Sequence, residues 1–203
     1  MNPTKIQLSE DELALIQNAQ LLLTKNAIMD KAVEAMGELH RMIQQLITEL
    51  EPPLPEEVLS SSGKISKGEK YEGLPWVMLD YPRVFGKGAV FALRTMFWWG
   101  NFLSITLHLS GPYKERFKEV LMQNRMLLQE CNFYICIAED EWRHDFAATN
   151  YVSLDGLNEQ AVENILSVTD FCKLSVRIPL QLWNLSMSTA DTLYRAVFNA
   201  LKP

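Results

Sequence analysis

The segment Glu139 to Asp145 (EDEWRHD) is the densest gathering of groups able to do acid–base or metal chemistry in this chain. Drawn out as an extended segment, it sets Glu139, Glu141, Arg143 and Asp145 on one side and Asp140, Trp142 and His144 on the other. A metal would need a further ligand, and His108 is the best placed to complete a His–His–carboxylate set. No HExxH or CxxC spacing accompanies it, so no metal and no cofactor is predicted. In an acid–base reading, His108 or His144 is the base, with Asp145 or Glu141 as its carboxylate partner. The plainer reading is a charged rim in which Trp142 packs and Arg143 pairs locally.

Two other chemical patterns are incomplete. Gly63-Lys-Ile-Ser-Lys-Gly68 has the glycine spacing of a phosphate loop, but Glu69-Lys70 stands where Lys and Ser or Thr are required. Lys64, Lys67 and Lys70 are left as an anion-contact set for an anionic ligand or an acidic partner surface. There is no GxSxG, and Cys131, Cys136 and Cys172 lie in apolar contexts that raise a thiol pKa, which argues against a nucleophile.

The aromatic group Trp76, Tyr81, Phe91, Phe97, Trp98, Trp99 and Phe102 points to recognition rather than reaction. Consecutive tryptophans on a strand face opposite sides, so one of Trp98 and Trp99 must find cover outside the main core. Ala89–Trp99 and Phe102–Ser110 read as strands of a hairpin, with Gly100-Asn101 as a two-residue turn. In that register paired residue numbers sum to 201. One face then carries Ala92, Arg94, Met96, Trp98, Leu103, Ile105, Leu107 and Leu109, and is the better core face. The other carries Thr95, Phe97, Trp99, Thr106 and His108, an aromatic and hydroxyl-lined ligand surface. Arg94, a cation on an apolar face, adds to the ligand-contact set.

The elements that position these groups follow from periodicity. Ser9 with Glu12 is a capping-box spacing that opens a helix to about Thr24. A second helix runs from about Ile28 to Leu50 and is stopped by Pro52 and Pro53, with Lys25-Asn26 as a kink or connection. Residues 1–52 are therefore a helical arm or pair, and 53–73 a flexible loop. Residues 74–203 form an α+β body. Its strands are Leu74–Tyr81, the hairpin, Phe133–Ala138, Trp142–Phe146, Tyr151–Leu154 and Phe171–Ile178. Its helices are Pro112–Glu130, Asn158–Leu166 and a last one ending near Leu201, whose start falls between Pro179 and Ser188. The expectation is one α+β domain over 1–203: an antiparallel sheet of about five to seven strands covered by helices.

Composition sets the outer bounds. The 203 residues include 48% hydrophobic and 22% charged, an ordinary globular balance. A net charge of −6 argues against a nucleic-acid partner. The negative charge is concentrated, because residues 139–170 hold eight acidic residues and one basic residue, Arg143. The stretch Thr95–Tyr113 lacks charges but is too polar to span a membrane, so no membrane partner is expected. An odd number of cysteines and no apolar leader point to a soluble protein in a reducing, cytoplasmic setting. The functional expectation is a non-catalytic protein that binds a small molecule or a partner on an aromatic sheet face. A homodimer contact through the long helix is a further option. The alternative is a hydrolytic or metal-dependent enzyme, and the residues alone leave open whether catalysis occurs. The two separate on whether His108 approaches the 140–145 segment.

Overall fold

The computed structural model describes residues 6–203; residues 1–5 fall outside that description. The capping box forms at the start of α1 (Glu10–Gln17): Ser9 N donates to Glu12 Oε2 at 2.7 Å and Glu12 N to Ser9 Oγ at 3.2 Å. The break after α1 falls at Asn18, earlier than the expected kink at Lys25-Asn26. Asn18 ends α1 and caps α2 (Ala19–Thr48), its side chain accepting from Leu21 N at 3.2 Å. That side chain satisfies an N–H that the new helix would leave bare, which is why a single residue suffices to separate the two. α2 buries Met29, Ala32, Met36, Leu39, Ile43 and Leu46 at helical spacing. A single turn, α3 (Glu56–Leu59), follows.

The sheet has seven strands, all paired antiparallel: β1 (Lys64–Tyr71), β2 (Leu74–Gly86), β3 (Ala89–Trp98), β4 (Phe102–Ser110), β5 (Tyr134–Cys136), β6 (Tyr151–Ser153) and β7 (Phe171–Pro179). Their order is β1-β2-β3-β4-β7-β5-β6. The architecture is α+β, as expected. The 53–73 loop is corrected in part, since Lys64–Tyr71 is an edge strand. An edge strand needs no apolar row, and lysines on it deter further pairing, so its composition reads as loop. The expected strand Trp142–Phe146 is also corrected: it is irregular chain lying across the sheet.

The central hairpin differs from expectation by one residue, with large consequences. Trp98 pairs with Phe102 and Phe91 with Leu109, so paired numbers sum to 200. The turn has three residues, Trp99-Gly100-Asn101, closed by Asn101 N to Trp98 O at 3.1 Å. Gly100 takes φ +72°, a left-handed value that suits glycine. With a side-chain period of two, a slip of one turns one strand over relative to the other. The helix-side face therefore carries Phe91, Leu93, Thr95 and Phe97 together with Leu103, Ile105, Leu107 and Leu109. Ala92, Arg94, Met96 and Trp98 lie on the opposite face with Phe102, Ser104, Thr106 and His108.

Against the first face pack α2, α4 (Pro112–Gln123), α5 (Arg125–Glu130), α6 (Glu159–Val168) and α7 (Ser186–Ala200). The expected Pro112–Glu130 helix is divided at Asn124, and a 3₁₀ segment Leu180–Leu185 precedes α7. Residues 137–150 cover much of the opposite face. Among the described residues, no helix is long and apolar enough to cross a membrane.

Ile43, a fully buried residue of α2, tests the helix layer. Ile43→Ala should lower unfolding stability by about 2–5 kcal/mol in urea titrations. Gly111 opens α4 at φ +54°, and a Cβ there would lie 2.0 Å from Gly88 O. Gly111→Ala should therefore be at least as damaging, because both strain and a backbone clash act on it.

Candidate functional site

A row of polar residues crosses the sheet on the face away from the helices. Asp80, Arg94, Thr106 and Ser175 are successive neighbours on β2, β3, β4 and β7, and His108 neighbours Lys173 in the adjoining row. Arg94 Nε donates to Asp80 Oδ1 at 2.7 Å, and the Thr106 and Ser175 hydroxyls are 2.7 Å apart. Residues 137–150 form a strap over this layer. Lys173 Nζ donates to the carbonyls of Glu141, at 2.8 Å, and of Arg143. His144 N donates to Tyr71 Oη at 2.8 Å.

The strap brings one predicted pair together and separates another. His108 Nε2 lies 2.7 Å from Glu141 Oε2, although 33 residues part them in sequence. Asp145 is not the partner of either histidine: Arg143 donates to its two oxygens at 2.9 and 3.1 Å, and Ala147 N at 3.1 Å. His144 instead lies beside Arg94, with Nε2 3.4 Å from Nη1. A guanidinium only donates, so His144 Nε2 presents its lone pair there, whereas Nε2–H of His108 points at a carboxylate. The two rings thus hold opposite neutral tautomers.

Burial dictates those neutral states. It pushes the His108 pKa down to about 3, with the positive charges of Lys173 and Arg94 adding to it. Burial and the same two cations push His144 to about 2. Lys173, only 2% exposed, is lowered to about 8, chiefly by burial. The carboxyl of Glu141 is raised by burial, against the pull of Lys173. Glu141 also lines a surface cleft of about 900 Å³. Glu115, Glu139, Asp170, Lys114 and Phe171 line the same cleft, and Lys114 Nζ is held by Thr169 O at 2.5 Å. A half-buried acid backed by a neutral imidazole can take or give a proton or hold a cation there.

Comparison with protein-family models, curated proteins and solved structures returns no match for this chain. Function has to be argued from its own geometry. Among the described residues, no three His, Cys, Asp or Glu side chains converge as a metal-holding group.

The expected ligand surface does not assemble on one side. Thr95, Phe97 and Trp99 belong to the helix side. The Thr95 hydroxyl lies 2.5 Å from Tyr194 Oη, and Phe97 packs edge-on against Trp99 and Trp183. Arg94, Thr106 and His108 lie under the strap. Trp98 is the indole driven out of the main core, as the strand logic requires. Its cover is Tyr71 and Phe102, in a small cluster with Met78, Met96 and Phe146. Lys64, Lys67 and Lys70 are exposed on β1 and do not converge: Lys64 is opposite Asp80 and Lys67 opposite Val77, on different faces.

Sequence reasoning passed over Lys173 and Asp80, the partners that tie the strap and Arg94 to the sheet. On β7 Lys173 alternates with Cys172 and Leu174 of the helix-side core, and only the strap makes its own side an interior.

Protonation supplies a test. Unfolded histidines titrate near 6.5, well above the folded values, so between pH 6.5 and about 3 the unfolded chain binds more protons. Stability therefore falls as pH falls, by about 1.4 kcal/mol per pH unit for each histidine well inside that window. Urea unfolding between pH 6.5 and 5 should show this slope, and His108→Gln with His144→Gln should flatten it.

Proposed function

We propose that this protein is a non-catalytic partner-binding protein whose recognition element is its N-terminal arm, α1 with the first turns of α2. One observation carries the reading: the apolar stripe of α2 continues beyond the sheet that covers it. Leu22, Met29, Met36 and Ile43 follow each other at seven-residue spacing on one side of the helix. Met29 is 5% exposed and the next two are fully buried, but Leu22 is 61% exposed. Leu21 and Leu23 beside it are exposed as well, as are Leu13, Leu15 and Ile16 on α1.

Two arguments support a partner there. Monomeric proteins rarely leave contiguous apolar patches above a few hundred Å² uncovered. An eight-residue helix is also too short to hold itself in water, and α1 buries none of its residues. Either a second copy of this chain or a different protein would supply the missing cover. The expected sheet-face form of binding has less support, because the helices cover one face and the strap much of the other. The free thiols Cys131, Cys136 and Cys172 fit a reducing, cytoplasmic setting for this role.

Affinity capture with the tagged full chain tests the reading. Wild type should retain a stoichiometric species, an untagged copy of itself included, that the double variant Leu22→Asp with Leu23→Asp loses. Equal retention by both proteins would count against the arm.

A second reading, acid–base or cation-binding work at the cleft, is favoured by the 2.7 Å contact between His108 and Glu141. It predicts that a divalent metal or organic cation raises the wild-type melting temperature, and that Glu141→Gln removes the shift. A flat response across such a panel would sink it.

A further inference from the structure

We infer that the partner of the arm is a second copy of this chain, docked antiparallel across a two-fold axis. The acidic first turn of α1 from each copy then lies against the Lys25 and Lys67 side of the other. This rests on the partner-binding reading of the arm and names its occupant.

The first ground is where α2 leaves the body. Lys25 pairs with Glu69 near the end of β1, and a Cβ on Gly63, just before β1, would meet the His40 ring. α2 and β1 therefore run antiparallel, and Lys25 sits next to the β1–β2 turn. The six residues Ala19–Thr24 rise about 9 Å along the helix beyond Lys25. All six are exposed, and α1 before them buries nothing, so this end of the chain has no cover of its own.

The second ground is area. Leu13, Leu15, Ile16, Leu21, Leu22 and Leu23 are between 42% and 67% exposed. They present on the order of 600 Å² of apolar surface per chain, so two copies can bury at most about 1,200 Å² through these residues, which just reaches the lower bound of a specific interface. One arm against a smooth polar surface would bury far less of its own apolar area.

The third ground is charge order, which chooses both the occupant and its direction. Between Glu10 and Thr24 the charges are Glu10, Asp11 and Glu12, all in the first turn, and the next charged residue is Lys25. The arm is thus acidic at its start and apolar in its middle, and it ends at Lys25, where lysines stand among the exposed carboxylates Asp30 and Glu69. A two-fold contact requires one surface to complement itself. Antiparallel docking meets that requirement, whereas parallel docking would crowd six carboxylates together. Lys67, opposite Val77 on the helix side of β1, and exposed Lys31 bring the lysines at this end to three, matching the three carboxylates of the other copy's first turn, with Asp30 and Glu69 as competitors. The Lys25–Glu69 pair does not block this, because Glu69 is 61% exposed and a surface pair of that kind holds weakly. The absence of Lys and Arg from 6 to 24 disfavours an anionic membrane as the occupant.

Sedimentation equilibrium or light scattering on the full chain, from about 1 to 100 µM across the usual dimer range, reads the result. Wild type should weigh twice 23.3 kDa. Leu22→Asp with Leu23→Asp should weigh 23.3 kDa and still unfold cooperatively, losing no more helical circular dichroism than the arm supplies and melting no lower than wild type diluted to monomer, since neither residue is in the core. Glu10→Lys with Asp11→Lys should weaken the dimer at least tenfold, and adding Lys25→Glu and Lys67→Glu should recover most of that. A wild type that stays monomeric at the highest concentration overturns the inference. So does a dimer indifferent to the leucine variants, or a charge reversal without recovery. If wild type is monomeric yet the capture experiment still loses a species with the leucine variant, only the second copy is discarded. If nothing is lost there either, the arm reading falls with it.

Discussion

The pairing of Trp98 with Phe102 decides which side of the sheet every residue of the two central strands occupies. With that pair in place, Thr95 and Phe97 turn toward the helices, where Tyr194 and Trp183 receive them. Arg94, Thr106 and His108 turn the other way. The sheet thereby acquires one apolar face and one mixed face, and these demand different covers. Helices with apolar stripes serve the first. A helix would serve the second poorly, because its backbone groups are already bonded within it and offer little to a buried ammonium or guanidinium.

The irregular strap answers that demand. Between its ends, which pair through Ile137 N and Asn150 O, its backbone is irregular, and the carbonyls of Glu141 and Arg143 accept from Lys173. The buried ammonium and the unpaired backbone satisfy each other, and leaving either alone would be costly. The same dry layer makes neutral histidines the favoured state and lets Arg94 and Asp80 pair at short range. This arrangement explains how several ionisable groups gather in one dry layer. His108 is 3% exposed, and Glu141, in contact with it, reaches from the layer to the cleft.

Much of this was legible in the residues, and the failures have specific causes. Helix starts at Ser9 and Pro112, the alternation of β7 and the α+β class follow from capping chemistry and period. The β3–β4 hairpin was legible as a hairpin, but Gly100 fits either a two- or a three-residue turn, and that one residue exchanged the faces of β3. β1 was hidden because edge position removes the apolar alternation by which strands are recognised. The proximity of His108 and Glu141 was posed as a question by the sequence and depends on a fold-back of 33 residues that no local pattern encodes. Asp145 was misassigned for the opposite reason: its partner, Arg143, is two residues away.

The arm shows where local pattern and tertiary cover disagree. Periodicity describes Leu22 and Met29 as equivalent positions on one helix, yet the sheet reaches only the second. Polar residues at 21–23 would leave the buried core of a single chain intact, since none of the three belongs to it. Their apolar character therefore has no role in holding one copy together. α1 adds a second anomaly, a well-capped helix that buries nothing. Capping fixes where a helix begins but does not supply the energy to keep eight residues ordered. Both anomalies have the same resolution in the proposed docking: one apolar surface laid along the arm would cover the leucines and give α1 something to fold against.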